Sequence, residues 1–120
     1  MKSNIILEKS IRFSLNIMEF TRYLKNEFKE YDLSRQLFKA GTSIGANIAE
    51  SQYASSRKDF VNKLHIALKE ANETWYWLML IEMSGAYKYD KFQNLKTEIK
   101  EIKKILTKII VSSKPNSVNK

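Results

Sequence analysis

The sequence predicts an all-α fold, an up-down antiparallel four-helix bundle, and three observations support it. Apolar residues recur every three or four positions through four separate stretches of the 120-residue chain. Short polar breaks join those stretches, which makes neighbouring helices antiparallel. Three glycines and one proline are too few for the turn punctuation of an all-β chain. The length suits one domain, taken as residues 1–113, followed by a flexible tail at 114–120 that contains Pro115.

The first helix is expected over about 4–28. Ile6, Phe13, Ile17, Phe20, Leu24 and Phe28 share one face, and Ser3 or Asn4 can cap its start. Leu7, Ile11, Leu15 and Met18 form a second apolar stripe on a different side. The second helix, about 33–53, starts after the polar break 29–32 with Asp32 or Ser34 as its cap. Leu37, Gly41, Ile44 and Ile48 share its face. Gly41 and Gly45 each cost about 1 kcal/mol relative to alanine in a helix, so they imply close approach of a neighbouring backbone.

The third helix, about 57–84, opens with a Ser56/Asp59 capping pair and ends at Gly85. Phe60, Leu64, Ala67, Ala71, Trp75 and Leu78 form its main stripe, while Ile66, Trp77 and Leu80 lie on another side. Asp90 can cap the fourth helix, about 90–112. Its heptad stripe is Phe92, Leu95, Ile99, Ile102, Leu106 and Ile109. A helix that is apolar on two sides must bury both. Leu7, Ile11, Leu15, Met18, Ile66, Trp77 and Leu80 are therefore the expected subunit contacts.

Composition excludes several functions. Without cysteine there is no disulfide and no thiolate metal site, which fits a cytoplasmic protein. Met1 to Leu7 is too short an apolar run for a secretory signal, and no stretch reaches the ~20 apolar residues of a membrane span. A di-iron bundle needs two Glu-x-x-His units. This chain has one histidine, His65, preceded at that spacing by Asn62, so no such cofactor is expected. There is no phosphate loop, because Gly41 and Gly45 sit inside a helical pattern with no Gly-Lys-Ser/Thr following.

One polar constellation remains. Asn47 and Glu50 are one turn apart, as are Glu70 and Glu73. Buried carboxylates can bind a metal or act as acid and base. They can equally accept hydrogen bonds that set helix register, and Asn47 has two donors suited to that role. The structural role is the expectation, and the chain is read as no enzyme. In the Trp75-Tyr76-Trp77 run, Trp75 is assigned to the core and Trp77 to the subunit contact.

The net charge is +8, and residues 88–120 hold nine lysines against three acids. A basic surface attracts polyanions such as RNA. Lys96, Lys100, Lys103, Lys104 and Lys108 lie off the heptad stripe and are the expected nucleic-acid contacts, with Glu98 and Glu101 among them.

The runs Ala40-Gly41-Thr42-Ser43-Ile44-Gly45-Ala46-Asn47-Ile48-Ala49-Glu50, Ser56 to Leu64 and Ile66 to Leu78 resemble the bacterial four helix bundle protein family, also called 23S rRNA intervening sequence proteins. The resemblance implies a small bundle that forms a ring-like homopentamer, with no established catalytic activity. Some members are encoded in intervening sequences of ribosomal RNA genes. A related branch, the accessory protein of diversity-generating retroelements, is a basic pentameric barrel that binds nucleic acid and a reverse transcriptase. That role depends on neighbouring genes and is not carried over. Asn47, Glu50, Glu70 and Glu73 fall on signature positions of the family. The expected function is an oligomeric, cytoplasmic bundle that binds RNA or another nucleic acid. The alternative is a protein-interaction scaffold whose basic surface is incidental.

Overall fold

The structure is a computed structural model that describes residues 4–113, so the Ser3 cap and the 114–120 tail lie outside the described residues. It consists of α1 (Asn4–Phe28), α2 (Tyr31–Ser51), α3 (Arg57–Ser84) and α4 (Phe92–Ser113). The molecule is a prism of 51 × 26 × 22 Å. Each helix packs on its two neighbours around the bundle, while the backbones of the diagonal pairs α1/α3 and α2/α4 stay apart and meet only through core side chains.

The core follows the predicted stripes. Phe13, Ile17, Phe20 and Leu24 of α1 meet Leu37, Ile44 and Ile48 of α2, Leu64 and Leu78 of α3, and Leu95, Ile99, Ile102 and Leu106 of α4. Burial of each such side chain contributes about 1.5–3 kcal/mol. Two glycines let α2 close on α1. A Cβ on Gly41 would stand 3.0 Å from both Cγ atoms of Ile17, and one on Gly45 would stand 3.3 Å from Ser10 Oγ.

Three helix starts show what local sequence controls. Ser56 Oγ accepts from the Asp59 N–H at 3.1 Å, as the capping pair requires, but Asp59 Oδ2 takes the Ser55 N–H rather than that of Ser56. α2 begins at Tyr31, two residues before the expected start, and ends at Ser51. Lys29 turns left-handed (φ 57°), with its N–H bonded to Lys25 O, and this single residue ends α1 without a glycine. Neither Asp32 nor Ser34 is the cap. Asp32 pairs with Arg35 at 3.0 Å, and the buried Ser34 hydroxyl donates back to Glu30 O. α4 begins at Phe92, leaving Asp90 in the preceding turn.

The α3–α4 connection is held on α1 by rings. Tyr89 lies 4.5 Å from Phe20 and 5.0 Å from Tyr23, and Tyr87 lies 5.0 Å from Phe28. Tyr23 donates to Lys88 O, and Tyr87 donates to Glu30 Oε1 at 2.7 Å. These anchors set where α4 starts and which way its outer face turns. Phe28, expected in the core, therefore lies exposed at the helix end as part of this ring cluster.

Candidate nucleic-acid interface

The rotation of α4 decides what its charges do. Leu95, Ile99, Ile102, Leu106 and Ile110 point inward. Ile110 replaces the expected Ile109 at the end, because a straight helix drifts from a strict heptad. On the flank against α1, Asn16 Nδ2 donates to both oxygens of Glu98 at 2.9 and 3.1 Å. Lys9 pairs with Glu101 at 3.1 Å. Both acids that interrupt the lysine run are thus engaged with α1.

The flank against α3 corrects one expectation. Lys96 does not reach solvent as a free cation. Its ammonium lies 2.9 Å from both Glu82 carboxylate oxygens, and its side chain is only 19% exposed. The Lys96 hydrogen bond holds the Glu82 carboxyl below its ordinary range. One turn on, the ammonium groups of Lys100 and Lys103 each sit 5.4 Å from the centre of the Trp75 ring. Lys104 and Lys108 are exposed and have no ion pair among the described residues. With Lys103, Thr107, Val111 and Ser112 they line a shallow open depression.

Trp75 is not the core residue its stripe suggested. It is half-buried in the α3–α4 seam, and Thr74 takes the inward position, its Oγ1 donating to Glu70 O at 2.8 Å. The inward stripe of α3 runs Leu64, Ala67, Ala71, Thr74, Leu78 and Ile81 at alternating spacings of three and four, which leaves Trp75 at its edge. The pairing of Trp75 with two lysines had no local signal in the sequence.

The four signature polar residues do not converge within the chain. Asn47 Nδ2 donates to Ser43 O of its own helix at 2.9 Å rather than to a carboxylate. Glu50 is exposed and pairs with Lys63 at 3.0 Å, which raises the Lys63 pKa. Glu73 is exposed and accepts from Trp77 Nε1 at 3.3 Å. Of the three glutamates only Glu70 is half-buried, and its carboxyl is pushed up first by burial and then by Glu73. Among the described residues no cluster of His, Cys, Asp or Glu is arranged to hold a metal, and His65 is exposed. Among the described residues no helix is long and apolar enough to cross a membrane.

The second apolar stripes stand largely uncovered. Leu15 is 58% exposed, Ile11 50%, Leu80 42% and Ile66 41%, while Leu7, Met18 and Trp77 are half-buried. α1 and α3 are diagonal in the bundle, so neither stripe can cover the other within one chain. Tyr31 and Phe38 of α2, absent from the sequence reading, are also exposed and border a cleft against Thr21 and Lys25 of α1. Their spacing of seven was a readable signal.

This bundle is similar to a solved structure from Bacteroides thetaiotaomicron VPI-5482, a protein of unknown function from the S23 ribosomal protein family. The two share 45% identity with a TM-score of 0.86, over 92% of this chain and 98% of that one. No curated protein matches the chain. Residues 2–108 match the family described as 23S rRNA-intervening sequence protein, and the chain belongs to that family.

Proposed function

We propose that the protein is a non-enzymatic bundle that self-associates in the cytosol and binds RNA through the outer face of α4. The observation that carries this reading is the sorting of charge around α4. Glu98 and Glu101 are engaged by Asn16 and Lys9, while Lys100, Lys104 and Lys108 remain on the exposed side. That leaves an outward face with cations one turn apart and with both of its acids partnered from α1. Contacts of this type go to phosphate and give little sequence preference. The uncovered stripes on diagonal helices support self-association through unlike faces, an arrangement that closes into a ring when the rotation between copies divides a full turn and otherwise runs on as a filament. The resemblance suggests five copies. A ring repeats the lysine face and multiplies weak contacts.

The test is anisotropy of a labelled RNA across a salt series, with mass measured by light scattering. The wild type binds at low salt and weakens steeply as salt rises. Lys104→Glu/Lys108→Glu loses most of that affinity. Lys96→Gln loses much less, because Lys96 is already committed to Glu82. If RNA does not bind at low salt, or the double variant binds with the wild-type salt slope, the basic face is only a solvated surface. A 14.1 kDa monomer in solution would remove self-association.

A further inference from the structure

We propose that Lys100, Lys103 and Trp75 form a phosphate clamp, in which the indole holds two ammonium groups ready for one phosphodiester of a single-stranded nucleic acid. The clamp rests on the RNA-binding reading and gives that reading a defined centre.

The geometry is specific. Both ammonium groups are 5.4 Å from one ring centroid, so the two charges lie within twice that distance of each other. Like charges gathered on one ring repel, and a shared anion relieves that repulsion. The acid on this side, Glu82, gives both oxygens to Lys96, and its charge reaches Lys100 only as the weakest of the influences on that carboxyl. No carboxylate lies within ion-pair distance of Lys100 or Lys103 among the described residues.

Lysine normally loses much side-chain freedom when it binds a ligand. Attraction to the ring face restricts both stems beforehand, so less is lost on binding. Trp75 is thus a positioning residue that acts through the lysines. Its half-buried place in the α3–α4 seam fixes the indole. Beyond the clamp, Lys104, Thr107 and Lys108 continue along the exposed side of α4, with about 6 Å of helix rise between Lys100, Lys104 and Lys108. A free phosphate can use only the clamp. A strand laid along α4 meets a further ammonium at each turn, which selects a polymer.

The protein has two tryptophans, which makes the test direct. In Trp77→Phe, Trp75 is the only indole, and its emission reports charge arriving at the clamp. Labelled oligouridylate is titrated with anisotropy and emission read together, and tripolyphosphate and phosphatidylglycerol vesicles serve as parallel probes. The emission of Trp77→Phe changes with the same midpoint as the anisotropy. Trp75→Phe, which keeps Trp77, shows no emission change. Lys100→Gln/Lys103→Gln loses the emission change, and its salt slope shrinks by about 0.7, the share of one single-strand phosphate. Lys104→Gln/Lys108→Gln binds more weakly but keeps the emission change.

Rising anisotropy with constant Trp75 emission overturns the clamp and leaves RNA binding elsewhere on the surface intact. No anisotropy change at low salt removes the RNA reading itself. An emission change with tripolyphosphate or vesicles at lower concentrations than with oligouridylate overturns the assignment to a nucleic-acid strand.

Discussion

Gly41→Ala tests how closely α2 and α1 approach. Alanine favours the helix by about 1 kcal/mol over glycine. Against that, the new Cβ stands 3.0 Å from Cγ1 and Cγ2 of Ile17. Ile17 is fully buried and β-branched, so it has neither room nor a free rotamer with which to yield. Overpacking of this kind costs about 1–3 kcal/mol. The net expectation is a loss of roughly 1 kcal/mol, or about 4 °C in melting temperature for a chain of this size. Gly45→Ala is the internal control. Its Cβ would meet Ser10 Oγ at 3.3 Å, a looser contact, so propensity and crowding nearly cancel. Urea unfolding followed by circular dichroism at one protein concentration gives both values. Ile17→Ala alone leaves a cavity, but in the Gly41→Ala background the new methyl partly fills it. The double variant is then more stable than the sum of the singles by 0.5 kcal/mol or more. A Gly41→Ala protein about 1 kcal/mol more stable than wild type would refute the reasoning, because the helices would then be free to move apart.

Two further outcomes follow from single side chains. The Glu70 carboxyl is raised by burial, so the folded state holds its proton at pH values where the unfolded chain has lost it, and stability falls as pH rises through that window. Glu70→Gln removes this slope, so urea midpoints of variant and wild type should diverge above the ordinary carboxylate range and converge in acid; parallel midpoints from pH 4 to 8 would count against it. Ser56→Ala removes the acceptor of the Asp59 N–H and should cost about 1 kcal/mol by thermal melting, whereas an unchanged melt would mean that the Asp59 bond to Ser55 N–H holds the start of α3 alone.

Most of the fold was legible because it depends on periodicity. α3 could be read to the residue: Ser56 and Gly85 (φ 65°) each satisfy backbone groups by local chemistry visible in the sequence. The start of α2 was not legible, because Lys29 takes a left-handed turn with neither glycine nor asparagine to announce it. Trp75 was misplaced for a different reason. The stripe rule counts apolar residues and so passes over Thr74, although the three-four spacing from Ala71 to Leu78 falls on it.

The candidate site was legible as a list of lysines but not as an arrangement. Lys96, Lys100 and Lys103 share one side of α4, and sequence spacing treats them alike. Their partners differ only because α3 places Glu82 opposite the first and Trp75 opposite the other two. Spacing also made Glu98 and Glu101 look like diluents of the positive face, since one-dimensional distance cannot say which neighbour a side chain turns toward. Asn16 and Lys9 lie 82 and 92 residues away in sequence, yet they decide that the acids serve the α1–α4 seam. The strength of the basic face is therefore set partly by α1, a helix that contributes no residue to it. Substituting Asn16 or Lys9 releases a carboxylate toward the α4 lysines while leaving every lysine of α4 in place.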